Sequence, residues 1–274
     1  MRILLTNDDG IDSLGLHVLA RAMRRHGEVV IAAPDTEYSG AGAALGALHL
    51  MQPEIHRVTV DGVDEAWSVT GPPALCVMFS RLGAFGDPFD IVVSGINPGA
   101  NVGRSVYHSG TVGAALTARN GSVSAVAVSQ CVEGSGVEGQ GADEVLGAQR
   151  WESAAAVADV VVGALLANLP TIPVVVNLNV PNLAVEDMKG WRRTTVGILP
   201  PRSLASVVLE PKLGHEGAFK VRMAWGQAVD LPIDTDGGSV ESGEVSITYL
   251  SRITADPITD GAAVEQALEA FLTE

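Results

Sequence analysis

The sequence contains few cysteines, few aromatic residues and few charges. Two of its 274 residues are cysteines, 4% are aromatic and 18% are charged. Two cysteines, Cys76 and Cys131, are too few for a disulfide framework, and their spacing does not match a zinc site. We therefore expect two buried, reduced thiols in a cytoplasmic protein.

Basic residues and long apolar runs are also scarce. Lysine and arginine total 17 against 32 acidic residues, which gives a net charge of −15. This balance argues against a nucleic-acid polymer bound through a broad basic face. It would also repel a phosphate substrate unless a cation or backbone N–H groups reverse the field locally. The apolar stretch 154–166 is interrupted by Asp159 and is too short to span a bilayer, and the run after Met1 is too short for a signal peptide. No membrane partner is expected.

Residues 1–185 alternate between short apolar strands and helical segments. This alternation predicts one α/β domain with a mostly parallel sheet. Apolar strands are predicted at 3–5, 28–33, 90–93, 123–129 and 172–180, strands of mixed polarity at 55–60 and 66–70, and helices after residue 10 and over 74–82 and 150–169. The polar, glycine-rich segment 133–148 is predicted to be a surface loop.

The pattern changes beyond residue 185. Half-buried strands are predicted at 191–196, 219–225 and 244–250, separated by loops. A C-terminal helix with one apolar stripe is also predicted. Such a helix usually packs its stripe on its own domain or on a partner subunit. We divide the chain into a core of residues 1–185 and a β-rich extension of residues 186–274, which together form one continuous unit.

Two adjacent carboxylates, Asp8 and Asp9, follow the first predicted strand, with Asn7 before them and Gly10 after. Open α/β sheets bind ligands just beyond the carboxyl ends of their strands. Two carboxylates there repel each other unless a cation or a proton intervenes. The pair favours a cation site, although an aspartate that caps the next helix would explain one of them.

Ser39 and Asn97 also lie close to the ends of predicted strands. Carboxylate, hydroxyl and amide oxygens without histidine or cysteine suit a hard cation such as Mg²⁺ or Mn²⁺. Taken alone, Ser39 is explained equally by a solvated loop and Asn97 by a turn before a proline. Together with the acidic pair they predict a site for one divalent cation.

The segment 109–115 places hydroxyls and glycines at the start of a predicted helix. Free N–H groups at a helix N-terminus bind phosphate, although ordinary capping by Ser109 or Thr111 explains the same residues. Asn101 precedes it in a glycine-containing loop. The sequence lacks a Walker A motif, a well-placed Gly-x-Gly-x-x-Gly and a Gly-x-Ser-x-Gly at a strand end, which excludes the commonest nucleotide-loop and serine-hydrolase interpretations.

Several segments, in this order along nearly the whole chain, resemble the SurE family of survival-protein phosphatases, which are 5′/3′-nucleotidases. The resemblance is carried by Asn-Asp-Asp-Gly-Ile at 7–11, Ala-Pro-Asp at 33–35 with Ser-Gly at 39–40, Val-Thr-Gly-Pro-Pro-Ala at 69–74, the segments 94–103 and 109–115, Asn-Leu-Asn-Val-Pro at 177–181, Asp-Thr-Asp at 234–236 and Val-Ser-Ile-Thr at 245–248.

The resemblance implies a Rossmann-like α/β core and a C-terminal β-hairpin and helix that are exchanged between the subunits of a homodimer or homotetramer. It implies a phosphomonoesterase that hydrolyses nucleoside 5′- and 3′-monophosphates with one Mg²⁺ or Mn²⁺ per subunit. Its motifs assign Asp8 and Asn97 as catalytic residues. They assign the metal to Asp8, Asp9, Ser39 and Asn97, and the phosphate to Asn101, Ser109, Gly110 and Thr111.

This chain departs from the family pattern at Ser105, His108 and Leu75, where an aspartate, a tyrosine and an aspartate are usual. These departures motivate one alternative function, a non-catalytic, metal-dependent nucleotide sensor. A receiver-like phosphorylation domain also places an acidic pair after its first strand, but the chain length and the lack of a suitable strand-end lysine disfavour it. Asp8 is the candidate general base, and direct attack by its carboxylate is the alternative mechanism.

Overall fold

The computed structural model describes residues 1–46, 48–132, 146–199, 204–227, 229–254 and 262–272. Its strands are β1 (Arg2–Thr6), β2 (Glu28–Pro34), β3 (Ile55–Val60), β4 (Val63–Val69), β5 (Ile91–Pro98), β6 (Ser124–Gln130), β7 (Val175–Val180), β8 (Trp191–Arg193), β9 (Leu204–Pro211), β10 (Phe219–Trp225) and β11 (Val245–Leu250). The helices are α1 (Leu14–Met23), α2 (Leu48–Met51), α3 (Pro73–Arg81), α4 (Gly110–Asn120), α5 (Trp151–Ala167), α6 (Asp236–Glu241) and α7 (Ala262–Leu272). Short 3₁₀ helices cover Arg24–His26, Gly103–Tyr107 and Val185–Asp187.

Nine strands form one sheet in the order β3-β4-β2-β1-β5-β6-β7-β11-β8. The six strands from β4 to β7 are all parallel, β3 and β11 run antiparallel to their inner neighbours, and β8 is parallel to β11. The central strands are mostly apolar because helices cover both faces of the sheet, and their polar residues lie mainly towards the carboxyl ends. The α/β fold with a mostly parallel sheet is therefore confirmed.

The strand β1 shows how the core is divided. Ile3 and Leu5 point into the cluster that includes α1 and α5, whereas Leu4 points into the cluster on the other face, against α3 and α4. This alternation follows from the two-residue period of a strand. Both faces of β1 are buried, which fixes the position and register of the strand. The residues after Thr6 therefore leave the sheet at a defined point on its edge.

The extension beyond residue 185 is partly integrated in the sheet. β11 pairs with β7 and β8 pairs with β11, so both strands extend the core sheet. The strands β9 and β10 instead form a separate antiparallel hairpin. The domain boundary at residue 185 stays a prediction.

Two elements of the extension were not predicted, β9 and α6. The predicted loop at 133–148 falls mostly outside the described residues. Within the described ranges, no helix has the length and apolarity needed to cross a membrane.

Arg2 secures the start of β1 to the loop before β5. Its guanidinium donates to the backbone oxygens of Phe85 (2.7 Å) and Asp87, pairs with Glu28 at 3.0 Å, and stacks over Phe89 at 4.4 Å. Removal leaves two backbone carbonyls without their donor. We expect Arg2→Ala to lower the free energy of unfolding by about 2 kcal/mol. Urea unfolding measures this change, with the exposed Arg21→Ala as control, and equal stability of the two variants would contradict it.

Candidate active site

The candidate site lies where the chain order of the sheet reverses. From β1 the chain proceeds outward through β2 and β4, whereas β5 begins the series that runs the other way through β6 and β7. β1 and β5 are direct neighbours, with Thr6 opposite Ser94. Ligands of open α/β sheets bind at this crevice, beyond the carboxyl ends of the strands. Asp8, Asp9 and Asn97 all lie at these two strand ends, as predicted.

Asp8 is buried and bound by the N-terminus of α4. Its Oδ2 accepts the backbone N–H of Gly110 at 3.1 Å, and its Oδ1 accepts the hydroxyl of Thr111. Burial raises the pKa of the Asp8 carboxyl, and the Thr111 hydroxyl and backbone N–H groups oppose that shift. The structure thus joins the predicted cation site and the predicted phosphate site through direct hydrogen bonds.

Gly110 is required by this contact. A Cβ at this position would lie 2.7 Å from the Asp8 Cβ and 2.8 Å from its Oδ2. Ser109 caps the same helix by accepting the N–H of Val112 at 3.1 Å. The capping interpretation of Ser109 is therefore correct, and it leaves open a second role in phosphate binding. A phosphate at this helix end would share the donors of Gly110 and Thr111 with Asp8.

The Oδ2 atom of Asp9 is buried and has no hydrogen-bond partner. Burial raises the pKa of the Asp9 carboxyl well above its usual value, and the nearby charges of Asp8 and Glu37 raise it further. A buried carboxylate oxygen without a hydrogen-bond partner, next to a second carboxylate, fits a cation site.

The loop that carries Ser39 is attached to the acidic turn through its backbone. The N–H of Tyr38 donates to the backbone oxygen of Asp8 at 2.7 Å. Ser39 itself is exposed, and its hydroxyl donates to the carboxylate of Glu37 at 2.8 Å. The loop therefore lies at the site, while the Ser39 hydroxyl is directed to a neighbouring carboxylate.

Asn97 belongs to a row of polar residues that crosses the sheet. Asn97 is opposite Ser129 on β6, Ser129 is opposite Asn179 on β7, and Asn179 is opposite Ser246 on β11. The Nδ2 of Asn97 donates to the backbone oxygen of Gly99 at 2.6 Å. The amide oxygen of Asn97 is the atom with the chemistry of a hard-cation ligand.

Asn101 is firmly held by the middle of the sheet. Its N–H donates to Asn179 Oδ1 at 2.8 Å, its Nδ2 donates to Ser129 Oγ at 2.8 Å, and its backbone oxygen accepts the amides of Asn177 (2.8 Å) and Asn179 (3.2 Å). These bonds fix the turn that leads into α4. Its predicted contact with phosphate stays a prediction.

The donor set fits a hard divalent cation. The two carboxylates and the amide oxygen of Asn97 are oxygen donors of the kind that such a cation takes, and the Asp9 Oδ2 has no hydrogen-bond partner, whereas the Ser39 hydroxyl is bonded to Glu37. Within the described ranges, no group of three histidine, cysteine, aspartate or glutamate side chains has metal-site geometry. That result is consistent with a ligand set in which only two members belong to those residue types.

The residues that depart from the family pattern occupy defined places. Ser105 bonds the backbone of Val102, accepting its N–H at 2.9 Å and donating to its oxygen at 2.7 Å. The backbone oxygen of His108 accepts the N–H of Gly42 at 2.9 Å, while Leu75 is fully buried. None of these side chains occupies a predicted ligand position.

Sequence reasoning missed the roles of Glu37, Asn177, Asn179 and Asp236. Asn177 and Asn179 are two apart on β7, so they share one face, and this spacing was a usable signal. Asp236 is fully buried and bonds Gly103, 133 residues away, which no local pattern reveals. Glu37 acts by proximity to Asp9, which depends on the path of its loop.

Both thiols are free. Cys76 is buried and Cys131 is partly buried, and burial raises the pKa of each thiol to about 12. They remain protonated at neutral pH and are not nucleophiles. No step of chemistry is assigned to them.

Comparison with known proteins gives one consistent family. The family model described as "Survival protein SurE" matches residues 3–200. A 5′-nucleotidase SurE of Rhodopirellula baltica is 40% identical over 200 residues, which are 72% of this chain and 73% of that protein. A 5′-nucleotidase SurE of Acinetobacter baylyi is 36% identical over 90% of this chain and 92% of its own length.

Two further matches agree. A 5′/3′-nucleotidase SurE of Erwinia tasmaniensis is 35% identical over 91% of this chain and 90% of its own length. The crystal structure of the SurE protein from Aquifex aeolicus superposes with a TM-score of 0.77 at 27% identity, covering 98% of this chain and all of that one. Sequence and fold agree, and the chain belongs to the SurE family of survival proteins.

Proposed function

We propose that this protein hydrolyses nucleoside 5′- and 3′-monophosphates to a nucleoside and phosphate, with one Mg²⁺ or Mn²⁺ per subunit. The proposal is supported by family membership and by relatives named 5′-nucleotidase or 5′/3′-nucleotidase. The observation that carries it is the bond from the N-terminus of α4 to Asp8. Through it, one carboxylate belongs to both the cation side and the phosphate side of the crevice.

In this proposal Asp8, Asp9, Ser39 and Asn97 hold the cation. When bound, the cation withdraws charge from the phosphoryl oxygens and lowers the pKa of a water molecule. Each pair of opposite charges about 4 Å apart contributes roughly 4 kcal/mol at an effective dielectric near 20. Repulsion from the acidic surface is screened over about 8–10 Å, so the local attraction prevails.

The chain's own groups then orient and move protons. Asp8 accepts the proton of the attacking water as general base, while Gly110 and Thr111 keep its carboxylate in one position. Asn101, Ser109 and the first N–H groups of α4 bind the phosphate oxygens. Asn97 contributes its amide oxygen at the opposite side of the crevice.

The direct test is phosphate release from AMP and from a 3′-nucleotide. We expect turnover with Mn²⁺ or Mg²⁺ and none after chelation with EDTA, because among the described residues no cationic side chain forms an ion pair with Asp8 or Asp9. Restoration by added metal is the control for irreversible damage. Turnover that persists in EDTA would contradict the metal-dependent mechanism.

A thermal unfolding assay separates the enzyme from a non-catalytic sensor. Metal that binds only the folded state raises the midpoint, and Asp9→Asn should abolish that rise. A rise with metal and nucleotide but without phosphate release would identify a sensor.

The free thiols of Cys76 and Cys131 support the proposed cytoplasmic location.

Exposed apolar side chains in the extension beyond residue 185 support a homo-oligomer. Apolar side chains on both faces of the β9–β10 hairpin are between 54 and 61% exposed, namely Val207, Val208, Leu209, Phe219, Val221 and Met223. The stripe of α7 is also exposed, with Val264 at 65%, Leu268 at 54% and Phe271 at 76%. Apolar surface of this extent is rarely left in water. We propose that hairpin and helix pack on a second copy of the chain, as a homodimer or homotetramer.

Light scattering after size-exclusion chromatography tests this assembly. We expect a dimer or larger species for the native chain. The double variant Leu268→Glu/Phe271→Glu should shift it towards the monomer, because it places charges in the buried stripe. Gln266→Glu, on the same helix, adds charge outside the stripe and should leave the mass unchanged. A monomeric native chain would exclude the proposal.

A further inference from the structure

Asp236 is a buried carboxylate outside the candidate site. Its side chain is fully buried, and its oxygens accept three backbone N–H groups: Gly197 at 2.9 Å and Gly237 at 2.9 Å on Oδ1, and Gly103 at 3.0 Å on Oδ2. In the part of the chain that the structure describes, no cationic side chain forms an ion pair with it. The carboxylate is held by backbone dipoles alone.

Two of these three donors belong to different parts of the molecule. Gly103 follows the Asn101 turn and begins the 3₁₀ helix that leads into the cap of α4. Gly197 follows β8 in the extension. Its segment is joined to the residues before α6 by a bridge between Thr195 and Thr235 and by the N–H of Asp236 donating to the backbone oxygen of Thr195 at 2.9 Å. The Asp236 carboxylate therefore connects this segment to the loop before α4, and the Nε of Arg104 forms a second connection by donating to the backbone oxygen of Ile198 at 3.1 Å.

The other end of the same loop is held independently. Asn101 is bonded by Asn177, Asn179 and Ser129, so the segment 101–103 is fixed at one end by the sheet and at the other by Asp236. The attachment at Gly103 connects this loop to the extension beyond residue 185.

The chemistry of the contact requires a carboxylate. Three N–H groups on two oxygens need both oxygens to be acceptors. Asparagine has one acceptor oxygen and a donor NH₂ group. With the amide oxygen facing Gly197 and Gly237, the NH₂ would face the N–H of Gly103 and lose that bond, while the bonds to Gly197 and Gly237 stay intact.

We propose that Asp236 is a positioning residue for the candidate active site, which holds the loop before α4 in place by fixing Gly103 to the segment after β8. The inference rests on the proposed nucleotidase function. Asp236 lies outside the residues assigned to the cation and to the phosphate, and it acts through Gly103.

The test compares Asp236→Asn with Thr235→Val in the full-length protein. Thr235 caps the same helix by accepting the N–H of Gly238 at 3.2 Å, so its loss perturbs α6 without touching Gly103. Readouts are KM and kcat for AMP, Mn²⁺ affinity by electron paramagnetic resonance, binding of inorganic phosphate to the Mn²⁺-loaded protein by calorimetry, and the unfolding midpoint.

We expect Asp236→Asn to raise KM and the phosphate dissociation constant about tenfold, with Mn²⁺ affinity unchanged. Thr235→Val should lower the unfolding midpoint and leave both constants as in the native chain. Equal phosphate binding in the native chain and Asp236→Asn would overturn the inference, and so would equal weakening in both variants. If the native chain releases no phosphate, the proposed function fails, and the phosphate-binding comparison still tests the positioning role.

Discussion

Asp8→Asn is expected to lower kcat/KM for AMP by about three orders of magnitude. The change removes one negative charge from the proposed cation site and replaces an acceptor oxygen by an NH₂ group. That NH₂ would face either the N–H of Gly110 or the hydroxyl of Thr111, both of which now donate to Asp8. Phosphate release under saturating Mn²⁺ measures the loss.

Asp12→Asn is the matched control, because Asp12 is an exposed carboxylate four residues away. It carries the same loss of charge outside the crevice and should retain native activity. Mn²⁺ affinity, measured by electron paramagnetic resonance, should fall in Asp8→Asn alone. Turnover of Asp8→Asn at the native rate would exclude Asp8 as general base and as metal ligand.

Gly113→Ala is expected to lower kcat/KM about a hundredfold by displacing the loop that carries Ser39. A Cβ on Gly113 would lie 2.2 Å from the backbone oxygen of Gly42 and 2.6 Å from the N of Ala43. These are backbone atoms, so no side-chain rotation relieves the clash. The loop must move by about 1 Å, and displacements of that size at a metal or substrate site cost roughly 10²-fold.

The measurement is the Mn²⁺ concentration that gives half-maximal phosphate release, which should rise in Gly113→Ala. Asn120→Ala, at the exposed end of the same helix, controls for helix stability. The unfolding midpoint distinguishes loop displacement from loss of the fold. Native metal dependence in Gly113→Ala would show that the loop of Ser39 does not contribute to the cation site.

The sequence predicts the buried core well because its signals are local. The apolar runs at β1, β2, β5, β6 and β7 report burial on both faces directly. The helix predicted at 150–169 is observed as Trp151–Ala167. The strand β9 escaped prediction because it has no alternation, since its apolar residues are exposed on both faces. The helix α6 escaped because Gly237 and Gly238 are poor helix formers, and its capping by Thr235 resembles an ordinary turn.

The residue types of the candidate site were predictable from the sequence, but the hydrogen bonds between them were not. Adjacent carboxylates at a strand end, together with a hydroxyl-rich helix start, indicated both halves of the site. The hydrogen bond from the Thr111 hydroxyl to Asp8, which joins the two halves, depends on how α4 packs. The local sequence does not show that packing. Two further hydrogen bonds likewise depend on the path of the chain in the fold. The Asn101 amide donates to Ser129, and the Ser39 hydroxyl donates to Glu37.

The position of β1 in the middle of the sheet has a consequence for the time course of folding. The partners of Asp8, Gly110 and Thr111, follow it 102 and 103 residues later in the chain. β1 likewise acquires its second neighbour only when residues 91–94 leave the ribosome. Contacts of such sequence separation form slowly. The Asp8 carboxylate therefore stays without the helix end that binds it until Gly110 and Thr111 have been synthesised.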